Sequence, residues 1–301
     1  MNISELYQRP CDKITREAII GGLLLKYPFL TRETIGESLC SRPVDLLTIG
    51  NRSRCVLFAA AFHGMEWITS LIMLKFLDTL CSAVKDSEML CGISPAALLN
   101  RRGLAVIPCV NPDGVEIQIH GSEAAGKYRT LVKKACSGDT FHWQANARGV
   151  DINHNFDADW DRVHELENAN GIDSPAPTRY GGNYPESEPE SRAVASLCRA
   201  GRFSHAVAFH TQGEEIYYGY GDYNNLQLQR QASALARVSG YSLSAPEGLA
   251  SGGGFKDWFC QTMQSPGFTI ELGKGTNPLP VTDLDSIYAK VREMLILAFL
   301  L

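Results

Sequence analysis

The chain has 301 residues, 45% of them hydrophobic and 20% charged, with a formal net charge of −5 at pH 7. This length allows one large domain or two modest ones, and the apolar fraction is ample for a sizeable core. The mild acidity excludes the basic footprint of a nucleic-acid binder.

Taken in chain order, helix signals cover Lys13 to Lys26, Glu66 to Lys85, Glu188 to Arg199, Leu226 to Ser239 and Asp283 to Leu300. Strand signals cover Asp45 to Ile49, Cys55 to Phe62, Gly103 to Cys109, Ala206 to His210, Glu215 to Tyr218 and Gly267 to Leu272. Their alternation predicts a single α/β domain with a mixed, mostly parallel twisted sheet and helices on both faces. The stretch from Asn111 to Glu186 is poor in regular signals and rich in Gly, Asn, Asp and Pro. A loop region that long inside a compact domain is usually functional.

The opening Met1-Asn2-Ile3-Ser4-Glu5-Leu6-Tyr7 lacks the basic start and apolar core of a signal peptide. No apolar run reads as long enough to span a membrane. The nine cysteines are irregularly spaced and include no Cys-x-x-Cys pair. Buried, reduced thiols and a cytoplasmic location are therefore expected. Oligomeric state is not legible.

The most informative run is Phe62-His63-Gly64-Met65-Glu66-Trp67, which follows the apolar stretch Val56 to Phe62. An imidazole and a carboxylate three positions apart, at a strand-to-helix junction, can both turn toward one point. Zinc accepts that pair and needs one more protein ligand plus an open position to be catalytic. A second apolar strand ends at His210, and a third ends at Glu271. In sheets of this class, ligands bind beyond the carboxyl ends of the strands. A carboxylate leaving an apolar strand is costly to leave unpaired, and beside a metal site it can take up a proton.

With these go Asn111-Pro112-Asp113-Gly114, Gly149-Val150-Asp151-Ile152-Asn153, Ser187-Glu188-Pro189-Glu190 and Ala250-Ser251-Gly252-Gly253. Together, and in this order, the motifs resemble the zinc carboxypeptidase family over about Tyr27 to Leu272. The resemblance implies one zinc ion held by His63, Glu66 and His210, with Glu271 as general base and then acid. It implies that Asp151 orients a ligand histidine, and that the run containing Gly253 forms a backbone path along the substrate pocket. Asn153 and His154 stand where the family has Asn and a carboxylate-clamping Arg. The imidazole cannot make that fork. For the arginine that steadies the oxyanion, Gln144 is nearest by alignment, while Arg148 carries the right charge and is the preferred candidate. The family tyrosine aligns with Gly248, leaving Tyr217, Tyr218, Tyr220 or Tyr241 as substitutes. Lys256 falls where the family sets preference for the side chain after the scissile bond, and an ammonium there would favour a carboxylate.

The variant pattern His-Thr-Gln-Gly-Glu-Glu at 210–215 and Gly-Phe-Lys-Asp-Trp at 254–258 resembles the γ-D-glutamyl-meso-diaminopimelate peptidases. The expected substrate is a small peptide or muropeptide of the peptidoglycan type, with neither nucleic acid nor membrane as partner. The alternatives are a carboxypeptidase for acidic C-termini, a zinc deacylase of the aspartoacylase or desuccinylase type, and an inactive peptide-binding homologue.

Overall fold

The structure, a computed structural model, describes residues 3–301. Eight strands form one sheet: β1 (Thr31–Glu37), β2 (Pro43–Gly50), β3 (Cys55–Ala60), β4 (Gly103–Ile107), β5 (Phe203–His210), β6 (Glu215–Tyr218), β7 (Ser242–Leu243) and β8 (Gly267–Glu271). Their spatial order is β1-β2-β4-β3-β5-β8-β6-β7. Four of the seven pairings are parallel, among them the central run β4-β3-β5-β8. The antiparallel pairings are β1 with β2, β2 with β4, and β6 with β8. The mixed α/β sheet is thus the expected one.

The central strands are apolar because both their faces are covered. Every residue of β3 and β4 is buried. Along β3, Val56, Phe58 and Ala60 enter one core, while Cys55, Leu57 and Ala59 enter the other. The first core receives the helices Lys13–Lys26, Ile68–Lys85, Leu226–Ser239 and Leu284–Leu300. The second receives Pro189–Ala200 and Phe255–Met263. One helical stretch, 64–85, does have the length and apolar composition to cross a membrane, contrary to the sequence reading. It is 72% buried inside the molecule, and its apolar residues pack the first core.

The region read as irregular is more ordered than its composition suggests. It contains the helices Pro112–His120, Arg129–Ala135 and Trp160–Ala169. A third small core of Ile117, Ala125, Val132, Trp143, Ala145 and Ala147 supports part of it. The first of these helices had a legible start: Asn111 accepts the Gly114 N–H at 2.8 Å, and Pro112 fills the first turn. β1 carries no strand signal in the sequence because it is polar and lies at the edge. Its Arg32 bridges Glu17 and Asp45, each at 2.7 Å.

Candidate active site

Three strand ends build the site. Beyond β3, Ala61 adopts φ 50°, a left-handed turn that lets the chain leave the sheet. Its N–H donates to Thr69 Oγ1 at 2.9 Å, and its carbonyl accepts the Asn111 N–H at 2.9 Å. His63 follows in extended geometry, and Gly64–Glu66 forms a single 3₁₀ turn. Gly64 is required by close approach: a Cβ there would lie 2.3 Å from the Gly114 oxygen and 2.8 Å from the Trp143 oxygen. Its N–H also donates to Gln144 O at 2.9 Å. His210 and Glu271 are the last residues of neighbouring parallel strands and pair directly in register.

His63 Nδ1 lies 2.9 Å from Glu66 Oε1, and His210 Nδ1 lies 2.9 Å from Glu66 Oε2. The two Nδ1 atoms are 3.3 Å apart. All three donor groups therefore lie within 4.8 Å of one another. Two ring nitrogens and a carboxylate converging from distant parts of the chain fit a zinc ion well. His63 Nε2 lies 3.1 Å from Asp151 Oδ1, which leaves Nδ1 free to face the metal position. His210 is stacked on Phe62 at 5.2 Å between ring centroids.

The electrostatics also suit a cation. Burial opposes ionisation of Glu66, but His63 and His210 outweigh it and hold its pKa down at about 2. Asp151 is likewise driven low, against its burial, by His63 and His154. Burial also opposes charge on His63, yet Glu66 and Asp151 raise its pKa well above the ordinary value. Glu271 goes the other way. Burial, then the charges of Glu66 and Glu215, push it well above the carboxylate range.

A cleft of about 230 Å³ opens over this cluster. Asn153, His154, Lys256, Tyr217 and Glu271 line it. Asn153 N–H donates to Asp151 Oδ1 at 3.1 Å, and its side-chain oxygen accepts the Phe255 N–H at 3.0 Å. His154 is tethered by Nδ1 to Glu167 Oε1 at 2.9 Å. Lys256 is buried and donates to Gly219 O at 2.7 Å, and Asp257 ion-pairs with it. Its charge is therefore already matched within the protein. Of Tyr217, Tyr218, Tyr220 and Tyr241, Tyr217 lines the cleft, with its hydroxyl donating to Glu215 Oε2 at 2.5 Å.

Two residues are not placed as the sequence suggested. Arg148 does not line the cleft. Its guanidinium donates to Glu188 Oε2 at 3.2 and 3.0 Å, drawn there by a buried carboxylate. Gly253 does not present its backbone to the cleft either. Its N–H donates to Ala158 O at 2.7 Å and its carbonyl accepts the Phe156 N–H at 2.9 Å. The flanking Gly252 and Gly254 line the cleft instead. Gln144, the alternative to Arg148, is a lining residue, and so is Arg179, which no sequence motif singled out.

The sequence profile described as "Zinc carboxypeptidase" matches residues 17–294. The chain belongs to the zinc carboxypeptidase family. This family member is 40% identical over 264 residues to γ-D-glutamyl-L-diamino acid endopeptidase 1 of Lysinibacillus sphaericus. That match covers 87% of the present chain and 65% of the relative, so the chain spans just under two-thirds of the relative's length. It is 25% identical over 261 residues to rat carboxypeptidase A2, covering 81% of this chain and 57% of that one. The crystal structure of carboxypeptidase A from Helicoverpa armigera superposes with a TM-score of 0.75 at 20% identity, covering 97% of this chain and 73% of that one. It shares the fold. For this zinc carboxypeptidase homologue, His63, Glu66 and His210 are the residues that would hold the family's metal.

Proposed function

We propose that the protein is a zinc-dependent peptidase acting on peptidoglycan-type peptides, at the bond between γ-D-glutamate and a diamino acid such as meso-diaminopimelate. The observation that carries this reading is the Glu271 carboxyl group, which lines the cleft at the end of the strand beside the His63–Glu66–His210 cluster. The 40% identity to a γ-D-glutamyl-L-diamino acid endopeptidase supports the substrate class.

A bound zinc ion supplies Lewis acidity, polarising the scissile carbonyl and acidifying the attacking water. Glu271 accepts the proton of that water and returns it to the leaving amine. It lines the cleft at the end of β8, in register with His210, which puts it beside the metal position. Asp151 holds His63 in the tautomer that presents Nδ1. Asn153, fixed at both backbone and side chain, positions substrate at the wall of the cleft.

A carboxypeptidase clamp on a free C-terminus is disfavoured, because His154 replaces the arginine and is tied to Glu167. The deciding assay offers the tripeptide L-Ala-γ-D-Glu-meso-diaminopimelate, together with ordinary peptides bearing free or blocked C-termini. Cleavage confined to the γ-glutamyl bond is the expected result. Turnover of ordinary free C-termini alone would refute the reading. We also propose a cytoplasmic, reducing location, supported by nine cysteines that are all free thiols, six of them buried. Recovery in the soluble cytoplasmic fraction checks this.

A further inference from the structure

Charge matching across the cleft isolates one side chain. His154 is taken by Glu167 and Lys256 by Asp257, while Arg148 points away to Glu188. Arg179 also lines the cleft, is exposed, and has no side-chain hydrogen bond or ion pair among the described residues. Its backbone, by contrast, is held tightly. The Arg179 N–H donates to Asp151 Oδ2 at 2.8 Å, the same carboxylate that orients His63. The neighbouring Thr178 hydroxyl donates to Gln144 Oε1, and Pro177 O accepts the N–H groups of Gln144 and Ala145, each at 2.9 Å. On the far side, Asp151 N–H donates to Tyr180 O at 2.8 Å. Arg179 itself sits at φ 66°, a left-handed conformation that a non-glycine residue holds only when its surroundings impose it.

A free guanidinium on a fixed backbone, aimed into a cleft whose other cations are neutralised, is a receptor for a carboxylate. A γ-linked glutamyl residue offers one. Its scissile carbonyl belongs to the side chain, so its α-carboxylate stays ionised a short aliphatic stem away. Arg179 is anchored through Asp151, Thr178 and Gln144, whereas the Lys256–Asp257 pair is anchored through Gly219 and Gly252. The free cation and the neutralised pair are therefore held by separate parts of the wall. We propose that Arg179 binds the free α-carboxylate of the γ-glutamyl residue and so selects substrates in which that carboxylate is free over those in which it is a carboxamide. This assignment rests on the peptidase reading above and makes Arg179 a specificity determinant rather than a catalytic residue.

The test compares wild type, Arg179→Lys and Arg179→Met on two tripeptides: L-Ala-γ-D-Glu-meso-diaminopimelate and its D-isoglutamine counterpart, in which the glutamyl α-carboxylate is a carboxamide. A third substrate carries the carboxamide on the diamino acid's α-carboxyl instead. Wild type is expected to favour the free glutamyl carboxylate over its carboxamide by about 10- to 100-fold in kcat/KM, mainly through KM. Arg179→Met is expected to cut these two equally, with zinc content and Tm unchanged, and Arg179→Lys to keep part of the preference. A wild-type preference that Arg179→Met leaves unaltered would overturn the assignment alone. So would a preference erased only for the third substrate. Failure of wild type to cut any γ-glutamyl substrate would overturn the peptidase reading and this assignment together.

Discussion

At the scale of single residues, the site separates groups that hold a metal from a group that moves a proton. Replacing Glu271 by Gln keeps the shape but removes the base, so kcat/KM is expected to fall by at least about 10²-fold. Zinc content by elemental analysis should stay at one ion per chain. Full activity in that variant would remove Glu271 from the mechanism. Gly64→Ala makes a sharper structural test, because the added methyl would meet backbone oxygens rather than movable side chains. The 3₁₀ turn carrying Glu66 must shift, and zinc affinity is expected to drop at least about tenfold, read by competition with a chelator.

Away from the cleft, buried Glu190 is raised to about 8 by burial, with Asp113 and Glu188 adding to the rise. Its folded pKa lies above the ordinary carboxylate value, so the native state holds the extra proton. That stability contribution is complete at low pH and is lost as pH rises from about 4.5 to about 8. Buried His205 is lowered to about 4, chiefly by burial. Its contribution runs the opposite way, growing as pH rises from about 4 to about 6.5. Between pH 6.5 and 8, then, Glu190 is the one of this pair that titrates. Urea unfolding should show Glu190→Gln losing about 2 kcal/mol less than wild type across that window. An identical decline in the variant would mean that Glu190 is not the group responsible.

At the scale of elements, function follows from parallel strands ending on one side. β3, β5 and β8 each deliver one functional residue at or just past their carboxyl ends, where backbone direction rather than sequence proximity sets the geometry. The aromatic floor beneath them is continuous, with Phe62 5.4 Å from Phe255 and 6.5 Å from Phe156 between ring centroids. Phe255 is fully buried within it. Phe255→Ala is expected to cost about 3–5 kcal/mol in stability, measured by denaturant unfolding.

At the scale of the whole molecule, the metal joins pieces of chain that are far apart in sequence. A ligand that binds only the native state adds RT ln(1 + [L]/Kd), about 4 kcal/mol at a thousandfold excess over Kd. Stripping zinc is therefore expected to lower Tm by several degrees, read by calorimetry with and without chelator. The two large hydrophobic cores include none of the side chains His63, Glu66 and His210. The stripped protein should accordingly stay folded. A molecule that unfolded outright at room temperature would contradict this.

Legibility in the sequence tracked how local each signal was. The helix Lys13–Lys26 and the strand Glu215–Tyr218 run over the residues their patterns predicted, because periodicity and capping are properties of neighbouring residues. The cluster of His63, Glu66 and His210 was readable because each residue terminates an apolar strand or its turn, and parallel strands leave few places for their ends to go. The edge strand Thr31–Glu37 was not readable, since its partner supplies the pairing and its own residues are polar. Nor were the destinations of the long cations. Arg148 has the charge for the cleft yet goes to Glu188, and Arg179 enters the cleft from a loop with no pattern of its own. A flexible charged side chain reaches whichever acid folding brings near it, and only the assembled molecule settles which acid that is.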